Sequence, residues 1–182
     1  MRSIVWFRGK DLRLADHQPL TAAVAAGEVL PVFIFDPYFF APENAEKSPH
    51  RIQFLLDSVR ALKGALRARG SDLICLRGAS SVRLVRLARS WSAEQVLAAR
   101  WVERFGRKRD DLIAGRLEIP FQLFEGETLV PPGEILTGSG QAFRVFTPFW
   151  RAFQRVFEND PPLAAPEHLP PLPAEVLSLI HI

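Results

Sequence analysis

Arg8, Lys10, Asp11, Arg13 and Asp16 crowd one short stretch directly behind the apolar run Ser3-Ile4-Val5-Trp6-Phe7. A second charged stretch, Arg100 to Asp110, holds five arginines and lysines, the acids Glu103 and Asp110 and the rings Trp101 and Phe105. Asp36 stands alone at the end of a further apolar run, Val29 to Phe35. This mixture suits binding: guanidinium and ammonium groups attract an anion, and a carboxylate accepts hydrogen bonds from the polar edge of a ring. The competing reading is that the charges only pair with one another across a solvated rim, and that Asp36 only makes a local turn bond.

The same residue types do not assemble a reaction. No Gly-x-Gly-x-x-Gly follows the first apolar run, no Gly-x-x-x-x-Gly-Lys-[Ser/Thr] occurs, and no Gly-x-Ser-x-Gly elbow or Cys/His dyad supplies a nucleophile. No acid–base pair stands out. The four histidines, at 17, 50, 168 and 181, and the single Cys75 lack zinc-type spacing. Neither catalytic residues nor metal ligands are therefore expected, and Cys75 is expected as a small buried hydrophobe.

The elements that must position these residues alternate. The runs Ser3–Phe7 and Val29–Phe35 carry no polar alternation, as strands covered on both faces require, and Asp72–Leu76, Gln95–Ala99 and Pro120–Phe124 read as three further strands. Helical patterns lie between them: Pro19–Ala26 stopped by Gly27; a long helix opened by Ser48-Pro49 with Leu55, Val59, Leu62 and Leu66 on one face; one capped by Ser80 or Ser81 and running to about Ser90; and one running to about Gly115. Tyr38–Lys47 reads as irregular loop. The alternation predicts an α/β fold, a Rossmann-like doubly wound sheet of five parallel strands in the order 3-2-1-4-5. In that order the carboxyl ends of strands one, two and four converge, bringing Arg8, Lys10, Asp11, Asp36 and Glu103 around one crevice at the switch point.

Length and charge set outer bounds. A chain of 182 residues fits one ordinary domain, and 48% hydrophobic against 24% charged residues is a globular composition. A net charge of +3 eases contact with a polyanion without requiring one. No apolar run approaches a membrane span and no signal peptide precedes the first strand, so a cytoplasmic location away from membranes is expected. Residues 1–130 are assigned to the α/β domain. Residues 131–160 form a shaped loop and a helix crowded with Phe143, Phe146, Phe149, Trp150, Phe153 and Phe157, rings that need a covering partner. Residues 161–182 are expected as a linker, with six prolines between Pro161 and Pro173, followed by an apolar end, Val176 to Ile182, without cap or partner. The end looks truncated.

Four segments taken in order carry a resemblance. Trp6-Phe7-Arg8 with Asp11-Leu12-Arg13-Leu14-Ala15-Asp16, Pro31-Val32-Phe33-Ile34-Phe35-Asp36-Pro37, Glu103 with Phe105-Gly106-Arg107-Lys108-Arg109-Asp110, and Pro131 to Thr137 with Arg144 to Arg151 together resemble the amino-terminal domain of DNA photolyases and cryptochromes. The resemblance runs from about Ser3 to Phe153. It implies a domain that holds a light-harvesting antenna beside a following helical domain, which holds FAD and the DNA lesion. There the excited antenna passes energy to reduced FAD, whose electron splits a cyclobutane pyrimidine dimer. That helical domain and damaged DNA are the implied partners, FAD belongs to the full-length protein only, and the chain by itself is expected to be inactive in repair. A cryptochrome light-sensor domain and a nucleotide-binding α/β module are the alternatives.

The resemblance also ranks the antenna. Glu103 matches the glutamate that contacts the pterin in folate-binding members, which makes a reduced folate the first choice, ahead of a deazaflavin, a flavin or no antenna. Ala99 and Trp101 stand where many members carry Asn and Asp, which tells against a deazaflavin, and Trp101 is large enough to fill the pocket itself. Gly9-Lys10-Asp11 makes the first loop one residue longer than usual, and Arg104 replaces the usual proline. The antenna-binding residues are thus expected to be Arg8, Lys10, Asp11, Asp36, Trp101, Glu103 and Phe105.

Overall fold

The central strand β1 (Arg2–Phe7) is buried from Ser3 to Phe7 because both of its faces are covered. A computed structural model, which describes residues 1–179, places it between β2 (Glu28–Phe35) and β4 (Gln95–Ala99), with β3 (Ile74–Arg77) and β5 (Phe121–Phe124) outside them. All pairings are parallel, in the expected order β3-β2-β1-β4-β5. Ile4 lies beside Leu30 on one flank and Val96 on the other, which is why the sequence shows an unbroken apolar run.

The period of two sorts β1 into two cores. Ile4 and Trp6 face the layer formed by α5 (Ser80–Ser90) and α6 (Arg104–Ala114), through Leu84, Leu87, Ala88 and Ile113. Val5 and Phe7 face the layer of α1 (Gln18–Ala26) and α4 (Pro49–Arg67), through Leu20, Ala23, Val59, Leu62 and Leu66. Leu55 of α4 is only half-buried. The stop of α1 is Gly27 at φ 134°, where a Cβ would also meet the Met1 backbone at 3.0 Å.

Several expectations change. Tyr38–Lys47 is not wholly irregular: α2 (Pro37–Phe40) and α3 (Pro42–Ala45) are single turns, each opened by a proline. Neither serine caps α5; its cap is Ala79, and the Ser80 hydroxyl donates instead to Asp36. Cys75 is half-buried rather than buried.

The proline-rich stretch, expected as a linker, lies against the domain. Asp16 N–H donates to Leu163 O at 2.7 Å, Arg69 Nε to Pro166 O at 3.0 Å, and Leu169 N–H to Arg69 O at 2.9 Å. Leu169 is buried in the α1/α4 core, and Val176 of α8 (Ala174–Leu179) in the α5/α6 core. Val176 therefore has the apolar partners that the sequence reading denied it, while Ile180-His181-Ile182 lie outside the described residues. Helix α7 (Phe146–Val156) buries none of its side chains. Its rings stack on one another along Phe146, Trp150, Phe153 and Phe157. Among the described residues, no helix is long and apolar enough to cross a membrane.

Candidate functional site

At the carboxyl end of β1 the chain turns Arg8 inward. Its side chain is 1% exposed, and Nη1 donates to both carboxylate oxygens of Asp110, at 2.7 and 2.9 Å. Asp110 sits on α6, itself buried, so this pair fixes the end of β1 to the helix that follows β4. The Arg8 N–H donates to Asp11 Oδ1. Asp11 Oδ2 faces His17 Nε2 at 3.6 Å, and His17 Nδ1 accepts the Leu20 N–H at 3.0 Å. Asp11 is thereby spent on shaping the passage into α1.

Trp101, just past β4, is 7% exposed. A Cβ added at Gly106 would lie 2.5 Å from the Trp101 Cβ, so the first turn of α6 approaches the indole as only glycine allows. Arg109, one turn further, lies over both buried indoles, 4.7 Å from the Trp6 ring and 4.6 Å from the Trp101 ring. Arg8 lies over the same two rings, at 4.9 and 5.6 Å. Burial first, and the neighbouring Arg8 charge second, lower the Arg109 pKa to about 10.

Aromatic rings close the opposite wall. Phe105 stacks on Tyr38 at 3.8 Å between centroids, and Phe39 meets both Phe105 and Trp101 edge-on. Asp36 holds that wall in place: Oδ1 accepts the Tyr38 N–H at 3.0 Å, and Oδ2 accepts the Ser80 N–H at 2.8 Å and the Ser80 hydroxyl at 2.6 Å. The enclosed cleft has a volume of about 340 Å3 and opens past Arg51 and the exposed Phe54 of α4. That is at the lower end of the roughly 300–1,000 Å3 of small-molecule sites.

Lys10 stands at the rim. It pairs with Glu127 and, at 2.9 Å, with Glu103. Burial opposes its charge, but the hydrogen bonds that Lys10 donates to Glu127 and Glu103 outweigh burial and raise its pKa. In Glu127, burial is likewise outweighed, by Lys10 and by the Val102 N–H at 2.8 Å, and the carboxyl is held below its usual range.

Six of the seven expected residues, Arg8, Lys10, Asp36, Trp101, Glu103 and Phe105, therefore line one cleft, and Asp11 does not. Trp101 forms part of the wall without filling the cavity. Sequence reasoning missed Tyr38 and Phe39, which lay in an assumed loop, and Arg109, Asp110 and Glu127. Arg109 and Asp110 had a faint signal in the density of charge after β4, but burial of such a stretch is not readable from composition. The arrangement holds no base aimed at a nucleophile. It can clasp a flat ring between rings, with cations at the floor and carboxylates at the rim.

The DNA photolyase family profile matches residues 3–171. A deoxyribodipyrimidine photo-lyase of Thermus thermophilus is 38% identical over 172 residues, covering 94% of this chain and 38% of that protein. The chain thus spans little more than a third of that relative's length. Among solved structures, a cryptochrome from Synechocystis sp. superimposes with a TM-score of 0.84 at 26% identity, over 95% of this chain and 37% of that one. An archaeal photolyase from Sulfolobus tokodaii, solved with two FAD molecules and with the implication of a novel light-harvesting cofactor, gives 0.78 at 25% identity, over 100% of this chain and 42% of that one.

Proposed function

The chain belongs to the DNA photolyase family, and from that premise we propose that it is the antenna-holding domain of a deoxyribodipyrimidine photo-lyase. In a longer protein it serves light-driven repair of cyclobutane pyrimidine dimers, alongside a helical domain that carries FAD and contacts damaged DNA. Residues 1–130 form the α/β unit in this reading, and residues 131–160 lead out of it through α7. The stretch from Pro161 is a strap across the unit and not a free linker.

The observation that carries the proposal is the ring-walled cleft at the carboxyl ends of β1, β2 and β4. An antenna needs a fixed distance and orientation, not proton transfer. Trp101 pinned against Gly106 and the Phe105–Tyr38 stack supply fixed walls, and Asp36, bonded to Tyr38 and Ser80, holds the second of them.

A reduced folate is the chromophore proposed first, with Glu103 accepting from the amino edge of the pterin at the mouth. Glu103 is 57% exposed and already bonded to Lys10, so its contribution is modest. Titration of the chain with a reduced folate, followed by fluorescence, is expected to show saturable binding that weakens several-fold in Glu103→Gln. Equal binding by the two proteins, or tight binding of a flavin in its place, overturns the folate assignment. Failure of any planar chromophore to bind overturns the antenna reading. The cryptochrome alternative, supported by the Synechocystis likeness, shares this half of the protein. Repair of a dimer-containing oligonucleotide by the full-length protein separates the two.

A further inference from the structure

Of the three cations that lie over the Trp101 ring, two are matched by carboxylates and the third is not. Lys10 lies between Glu127 and Glu103, and Arg8 holds Asp110 through both of that residue's oxygens. Arg109 comes no closer to a carboxylate than 3.6 Å, from its Nε to Asp110 Oδ1, an oxygen that already accepts from Arg8 at 2.7 Å. Asp36, whose charge also acts on Arg109, has its two oxygens bonded to the Tyr38 and Ser80 backbones and the Ser80 hydroxyl. The Arg109 side chain is only 10% exposed, and it lines the cleft. Its Nε and Nη2 are buried without hydrogen-bond partners, as are Nε and Nη2 of Arg8 and Nε1 of Trp101. Two guanidiniums thus lie over the same two indoles, largely removed from water, with one well-bonded carboxylate between them. A desolvated cation in that position is costly unless a counter-charge meets it.

We propose that Arg109 seats the anionic group of the ligand, a phosphate or a carboxylate, at the floor of the cleft, so that the site selects an anionic planar ligand over a neutral one with the same ring. This rests on the antenna reading and adds its selectivity. Nε and Nη2 of Arg109 are fully buried, so Nη1 is the nitrogen that meets the anion, and the Trp6 and Trp101 rings on which the guanidinium rests hold it in place. Lys10, the cation that the sequence offers more plainly, is neutralised at the rim and does not perform this task.

The test uses two probes that share a ring: flavin mononucleotide, which carries a phosphate, and riboflavin, which does not. Titrating the chain and following flavin fluorescence is expected to show flavin mononucleotide binding at least about tenfold more tightly, the effect of one charge-assisted bond. Arg109→Gln is expected to bring the two probes level by weakening only flavin mononucleotide, and Arg109→Lys to restore much of the difference. Equal binding of the two probes by the unaltered chain overturns the Arg109 seat and leaves the ring-holding reading standing, as does a preference that survives in Arg109→Gln. If neither flavin binds, inorganic pyrophosphate decides by its effect on the melting temperature. A rise in the unaltered chain that is lost in Arg109→Gln supports the anion seat while the ring-holding reading fails, and no rise overturns both. A circular dichroism melt of Arg109→Gln checks its fold, and Arg109→Lys carries the test if that variant does not fold.

Discussion

Arg8 and Asp110 meet across 102 residues of sequence with 1% and 2% of their side chains exposed, and they join the end of the central strand to the helix after β4. The contact lies directly beneath the cleft, so its energetics and the shape of the site are coupled.

Removing one partner strands the other in a medium that solvates it poorly. Asp110→Ala is expected to destabilise the chain by roughly 3–5 kcal/mol in a urea melt. Replacing both residues, as in Arg8→Met with Asp110→Leu, is expected to cost less than Asp110→Ala alone. A loss below about 1 kcal/mol in the single variant contradicts the buried pair.

Gly106→Ala reverses an ordinary rule. Alanine in a helix interior normally gains about 1 kcal/mol over glycine. Here the new methyl meets Trp101, and destabilisation of roughly 1–3 kcal/mol is expected, with a shift in tryptophan emission as the indole is displaced. A stabilised variant with unchanged emission shows that the indole is not held as described.

The rim pair predicts an acid limb. The Glu127 carboxyl is held below 4.5, so its stabilisation is fully present above that value and is lost as pH falls through the lower folded-state pKa. The melting temperature of Glu127→Gln is therefore expected to lie below that of the unaltered chain at neutral pH and to converge with it in acid below pH 4.5. A gap that stays constant across the acid range removes the Lys10–Glu127 contact from the account.

Helix α7 predicts association. Phe146 is 71% exposed and Trp150 43%, on the same stacked ladder. Sedimentation of the chain is expected to show concentration-dependent self-association that disappears when Phe146, Trp150, Phe153 and Phe157 are made polar. A monomer at all concentrations counts against an apolar docking face.

The sheet was legible because burial on both faces leaves an unmistakable mark: Ile4 to Phe7 and Val29 to Ile34 have no polar position to confuse the reading. The site was legible as a place more than as a set of roles. Arg8, Asp36 and Glu103 were located by the convergence of strand ends, but whether a charged side chain turns inward is decided by partners distant in sequence. Ser80, 44 residues from Asp36, and Asp110 are such partners. Tyr38 and Phe39 were lost because α2 is a single turn, too short to show a hydrophobic period.

The strap from Pro161 onward touches both helical layers, Leu169 on one and Val176 on the other, and Arg2 at the start of β1 pairs with Glu175 at 3.1 Å. A segment anchored on both sides of a sheet cannot let go of one side while the other stays fully protected. Amide hydrogens behind Leu66 and behind Leu84 should therefore exchange through one shared opening rather than two separate ones, making the layers a single cooperative unit held at both faces by the same strap.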